Sequence, residues 1–333
     1  MQIDFISVFI SIVSLVLLAV PGFILTKTKL IPQKAESAFS TLVLYGCQPV
    51  LVFMGFQGTK FDANIGINVL YVMLITALVH LAMAGIMYLS IRNKDNSAKK
   101  RVIRYAGMFS NCGFMGLPFL QLIFQDSPYL GEVTIYAAAV IAVFNIANWT
   151  LGVFFITEDK TKVSLTKIIL NPTIIAVMLG LIVFYTVKVP FVDLTTEGTF
   201  AHNFVSKLMQ TLTTIGNMVT PLSMTVIGMK LAGVSLKKLF LDGSAYLVSF
   251  FKLIIMSLVT MAIVYFLPVS TAVKYVTFFL LSMPCATSTA LFSSIFGGDG
   301  DSAVVYVLLT SIISILTVPL MFLLFSTLVG SVI

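Results

Sequence analysis

The stretch Ser110-Asn111-Cys112-Gly113-Phe114-Met115-Gly116-Leu117-Pro118 lies inside an apolar run, 102–125, long enough to cross a bilayer. Two glycines and a proline fall within six residues here, and they oppose an uninterrupted helix. Proline has no amide donor and its ring clashes with the preceding turn, while glycine loses the most backbone entropy on ordering. A second apolar run, 273–296, carries Met283-Pro284-Cys285-Ala286-Thr287-Ser288-Thr289. Either proline alone would signify only a kinked membrane helix. Two interrupted runs, with Asn111 beside one proline and Thr287 and Ser288 beside the other, predict something more specific. Unwound backbone at membrane depth persists only where it is buried in protein or lines a cavity, and paired interruptions in matching segments mark the binding sites of secondary transporters.

Outward from these two runs the chain repeats one theme. Of its 333 residues, 59% are hydrophobic and 10% charged, against about a quarter charged in a soluble domain. Lipid must therefore be the solvent for much of the surface. Polar breaks divide the sequence into apolar segments at 5–25, 37–56, 66–91, 102–125, 132–156, 167–187, 206–231, 244–267, 273–296 and 302–329. The expectation is an all-α polytopic membrane protein with ten transmembrane helices, no strands and short connections. The net charge of +7 suggests nucleic-acid binding only if the protein is soluble; here the basic residues sit in loops between apolar runs, so no nucleic-acid partner is expected. Cys47, Cys112 and Cys285 lie within apolar segments without paired spacing, which excludes a disulfide framework or zinc site. No metal ligand set and no cofactor is expected.

Lysine and arginine divide unequally between alternate loops. The loops after the first, third, fifth and seventh segments hold 15 with their flanks, the opposite set holds Lys60, Lys188, Lys207 and Lys274, and Lys252 lies within the eighth segment. The basic set is expected in the cytoplasm, with both termini outside, in a cell membrane. Weak internal symmetry accompanies this. Pro49 and Pro221 are 172 residues apart, as are Ile123-Phe124 and Ile295-Phe296, while Tyr136 and Tyr306 are 170 apart. The halves, 1–160 and 161–333, then carry five helices each, and an odd number forces opposite orientations: two inverted repeats, with broken helices 4 and 9 meeting between them.

The charge census restricts the ligand. No Asp or Glu lies mid-segment: Asp126, Glu132, Asp242, Asp299 and Asp301 all sit at predicted ends. Cation sites and proton relays place carboxylates inside the membrane; broken half-helices instead present unpaired amides with partial positive charge, which suit a carboxylate. The expected site comprises Asn111, backbone near Gly116, Pro118 and Pro284, and Asn145, Thr287 and Ser288. Two ionisable residues remain within segments. Lys252 has a stem long enough to snorkel to the interface or to reach the substrate path. His80 suits a buried, hydrogen-bonded neutral histidine or a proton-coupling group. Asn145 and Asn148 suit interhelical hydrogen bonding as well as ligand contact, and Gln48 is expected to be structural. An intramembrane enzyme would need acidic or histidine groups at depth, and His80 has no acid partner. A sensor on a transporter fold and a sodium-coupled symporter of the bile-acid-carrier type remain alternatives.

The segment NCGFMGLP at 111–118 resembles the fourth-helix motif of the auxin efflux carrier family. NPTIIAVMLG at 171–180, PLSMTVIGMKLA at 221–232 and the stretch 283–324 are similar to that family's sixth, seventh, ninth and tenth helices. The resemblance implies a scaffold of helices 1, 2, 6 and 7 and a moving unit of helices 3–5 and 8–10, with helices 4 and 9 crossing at their prolines, an elevator-like movement and a homodimer. It implies that Asn111 contacts a substrate carboxylate, and that Asn145, four residues before Trp149, replaces a glutamine. The acidic residue and lysine that plant members carry in the third helix have no counterpart but His80, and the long hydrophilic loop after helix 5 is missing. A small mono- or dicarboxylate of the malate or malonate kind is therefore expected rather than an indole.

Overall fold

The computed structural model describes residues 3–92 and 94–329. Residues 1–2 and 330–333, the ends of the two predicted halves and the expectation for the termini, lie outside the described residues. The principal helices are α1 (Phe5–Lys27), α2 (Ala35–Phe56), α3 (Ala63–Ser90), α4 (Ala98–Met108), α5 (Cys112–Ile123), α6 (Leu130–Thr157) and α7 (Pro172–Thr186). They continue with α8 (Phe200–Asn217), α9 (Val219–Ala232), α10 (Gly243–Phe266), α11 (Thr271–Ser282), α12 (Ser288–Phe296) and α13 (Gly300–Val329). No strand occurs among the described residues. Six helices, α1, α2, α3, α6, α10 and α13, are long and apolar enough to cross a membrane, and α5, α7 and α11 are apolar but shorter. This is an all-helical chain of the polytopic membrane kind.

Polar side chains start the helices where the apolar runs begin. Asp62 caps α3 by accepting from the amides of Asn64 and Ile65, and Asn171 caps α7 by accepting from those of Thr173 and Ile174. The outer faces carry exposed Leu17, Leu70, Ile182 and Leu316, as lipid contact requires. Small residues set the closest approaches, which lipid favours because packing rather than the hydrophobic effect holds membrane helices together. A Cβ on Gly228 would lie 1.9 Å from the Ala19 carbonyl oxygen, and one on Gly22 would lie 2.1 Å from that of Thr225, so α1 and α9 touch backbone to backbone.

Both expected interruptions are present, at 109–111 and 283–287. The first falls ahead of the glycine–proline run. Gly113, Gly116 and Pro118 lie inside α5, whose first turn, Cys112–Gly116, is widened into a π-turn. Proline at 118 leaves the Phe114 carbonyl without its helical amide, and Ser223 of α9 donates its hydroxyl to that oxygen at 2.9 Å.

The two interrupted segments meet. Ser110 and Cys285 form an isolated antiparallel bridge, with the Asn111 amide donating to the Pro284 carbonyl at 2.8 Å and the Ala286 amide to the Phe109 carbonyl at 2.9 Å. The Cys285 amide donates to Thr310 Oγ1 of α13, and Ser110 Oγ donates to the Leu281 carbonyl. Part of the backbone that the two helices abandon is thus paired across the crossing or with hydroxyls.

Candidate functional site

A cavity of about 60 Å³ opens against this bridge, room for a few waters at roughly 10–15 Å³ each by this measure. Ser110, Asn111 and Gly113 come from the first interrupted segment, and Thr287 and Ser288 from the second; Asn145, Asn148 and Trp149 come from α6 and Gln48 from α2. Among the described residues no charged side chain lines it. Through Leu44, Tyr45, Thr287 and Ser288 the cavity continues into a vestibule of about 430 Å³, which reaches Glu36 and Lys230 on the face bearing the basic loops. Those two are paired at 3.0 Å, so the entrance carries little net charge.

Asn111 is 3% exposed, and its Nδ2 donor has no partner among the described residues. Its backbone is fixed at both ends: the amide by Pro284, the carbonyl by the amides of Met115 and Gly116 at 3.1 and 2.9 Å. A buried amide donor left open costs about 1–3 kcal/mol, so its persistence beside a cavity points to a ligand. Gln48 Oε1 is likewise buried and open, and its amide packs where a Cβ on Gly113 would sit, 2.4 Å from Nε2. A side chain at 113 would displace the Gln48 amide from this place. Tyr105 of α4 holds the opposite wall: its hydroxyl contacts Asn148 Oδ1 and lies 3.0 Å from Ser288 Oγ. Trp149 packs edge-on against Phe292 with centroids 4.9 Å apart.

Among the residues singled out in the sequence, Asn111, Asn145, Thr287 and Ser288 share this cavity. Asn145 turns its Nδ2 back to the Ile141 carbonyl at 2.8 Å. Gly116, Pro118 and Pro284 do not line it. A Cβ on Gly116 would meet Leu280, and Pro284 contributes its carbonyl to Asn111. Gln48, expected to be structural, lines the cavity, as do Asn171 and Thr173 at the start of α7. The Asn-Pro pair that opens α7 was a sequence signal for Asn171; only proximity to Gly113 reveals Gln48.

Lys252 does not snorkel. It is 0% exposed, and its Nζ donates to the Leu281 carbonyl at 2.8 Å, the oxygen that also accepts from Ser110. Its position in the π-wound turn Phe250–Ile255 aims the stem inward. No carboxylate pairs with it among the described residues. His80 is buried as expected, with Nδ1 2.7 Å from the Thr76 carbonyl; its ring lies 5.6 Å from that of Phe109, and its Nε2 is open. His80 and Lys252 stand 172 residues apart, the spacing of Pro49 and Pro221, and each abuts one interrupted segment, through Phe109 and Leu281. Among the described residues no cluster of His, Cys, Asp or Glu suits a metal ion.

No curated protein matches the sequence. A family model described as Membrane transport protein, covering the auxin efflux carriers, matches residues 7–322. This chain belongs to that family of multi-pass membrane transporters.

Proposed function

We propose that the protein is a secondary transporter of small organic anions, mono- or dicarboxylates, working by alternating access. The observation that carries this reading is the open Asn111 Nδ2 in a cavity free of carboxylates. A carboxylate accepts that hydrogen bond, and charge-assisted bonds are roughly twice as strong as neutral ones. The Gln48 oxygen, an open acceptor, suits a hydroxyl or a protonated second carboxyl on the same ligand. Lys252, one carbonyl behind Ser110, supplies positive potential to a low-dielectric site, and His80 lies on the same coupling path.

In this account ten segments span the membrane as two inverted repeats, with interrupted helices 4 and 9 crossing at the site. α1, α2, α7, α8 and α9 form the scaffold and the remainder the moving, elevator-like unit. The excess of basic residues assigns the vestibule to the cytoplasm, so the conformation is open inward. The exposed face of α8, with Phe200 and Phe204 at 85% and 60% exposure, suits the contact of a homodimer.

The test is uptake of labelled malate, malonate and acetate into proteoliposomes. The wild type accumulates at least one of them above empty liposomes, and Asn111→Ala does not. Failure of the wild type to move any mono- or dicarboxylate under imposed proton or sodium gradients refutes the reading.

A further inference from the structure

The ends of α3 and α6 and the middle of α4 border a second cavity, of about 520 Å³, separate from the one at the interrupted segments. Its lining joins Arg92, Lys94 and Arg104 to Tyr88, Leu89, Phe154 and Phe155, with Glu158 as the one acidic residue. Arg104 is 5% exposed and held from three sides. Its Nη1 donates to Glu158 Oε1 at 2.8 Å, its Nε donates to the Ile91 carbonyl at 2.7 Å, and its guanidinium lies 5.0 Å from the centroid of the Tyr88 ring. With Glu158 committed to Arg104, the cavity keeps an excess of two positive charges. Arg92 and Lys94 are exposed and form no ion pair among the described residues.

Three properties coincide here. The cavity lies where α3 and α6 stop being apolar, at the depth of lipid headgroups. Its outer wall carries Tyr88 and Leu89, 56% and 71% exposed. Its polar side is cationic, with Arg104 fixed in place by Glu158, the Ile91 carbonyl and Tyr88. Loop charges that merely set orientation need no cavity, no aromatic floor and no clamped arginine.

We propose that this cavity binds the headgroup of an anionic phospholipid, with Arg92 and Lys94 on its phosphate and Tyr88 and Leu89 against its acyl chains. Basic pockets between transmembrane helices bind such headgroups, and arginine recognises phosphate with a planar fork of donors. The proposal requires only that the chain sits in a membrane, not that the transport site is correctly assigned.

The experiment is native mass spectrometry and thermal melting of the detergent-purified protein with phosphatidylglycerol, phosphatidylcholine or inorganic phosphate. Phosphatidylglycerol should remain bound and raise Tm, and the other two should not. R92Q/K94Q should weaken phosphatidylglycerol binding about 30-fold, two cations at about 1 kcal/mol each. K27Q/K34Q, which removes exposed lysines from another loop of the same face, should leave it unchanged. Equal loss in both double variants, equal binding of phosphatidylcholine, or a matching Tm shift from inorganic phosphate would overturn the proposal.

Discussion

Replacing Asn111 by alanine separates ligand binding from stability. The Asn111 side chain makes no hydrogen bond to a described residue, and its Nδ2 is buried and open. Truncation therefore removes no internal bond, and it relieves the protein of an unsatisfied donor worth about 1–3 kcal/mol. Alanine also tolerates the backbone at this position, φ −77° and ψ 50°, and the bonds to Pro284, Met115 and Gly116 belong to the main chain. The ligand, by contrast, loses a hydrogen bond to a charged group, about 1.5–3 kcal/mol, which is roughly 10- to 150-fold in Kd. Calorimetric titration with malonate, beside melting of the apo protein in detergent, reads both quantities. Affinity should fall by that factor while the apo Tm stays level or rises. If Kd changes less than about twofold, or Tm falls in step with affinity, Asn111 is a structural residue and the argument from its open donor is wrong.

Four further substitutions, one of them a control, test other parts of the account. Lys252→Met removes a buried charge with no carboxylate partner while Ser110 still serves the Leu281 carbonyl; stability should be unchanged or improved, and malonate affinity should drop about tenfold, with an unaltered affinity counting against Lys252 as the source of potential. Gly228→Ala forces α1 from α9 because the obstacle is backbone oxygen at 1.9 Å, and should cost about 1–3 kcal/mol; Gly243→Ala, where nothing lies within 4 Å, should be near neutral, so equal Tm losses would refute the packing argument. At the start of α10, burial works to raise the Asp242 carboxyl, but the Ser244 hydroxyl and amide and the Lys99 ammonium outweigh it and hold the group below the usual carboxylate range. A lowered carboxylate contributes stability above its unfolded pKa of about 3.9 and loses it as pH falls through the folded value; Asp242→Asn should therefore melt lower at pH 7, with the gap closing below about pH 4, and a gap independent of pH would contradict this.

The helical plan was legible because lipid imposes a simple rule: long apolar runs separated by charged breaks. Segment 66–91 became Ala63–Ser90, and 132–156 became Leu130–Thr157. The interruptions were legible from glycine and proline, and the second falls at Pro284 as expected, yet the place of the first was not legible. Pro118 looks like the breaker, but Ser223, distant in sequence, satisfies the carbonyl that it orphans, so the chain unwinds at 109–111 instead. Asn111, Thr287 and Ser288 could be found because polar residues beside a break have few structural reasons to be there. Gln48 could not, since its place depends on the close approach to Gly113. Lys252 misled for a related reason: distance from a helix end suggests snorkelling, whereas the π-turn that directs it inward leaves no mark in the local sequence.

The central claim is that a carboxylate occupies the cavity beside the paired segments. Electron cryomicroscopy of the protein saturated with malonate tests it most directly. The account predicts density for the ligand between Asn111 and Ser288, with a carboxylate oxygen within hydrogen-bond distance of Asn111 Nδ2. An empty cavity at saturation, with malonate bound elsewhere on the protein, would contradict it.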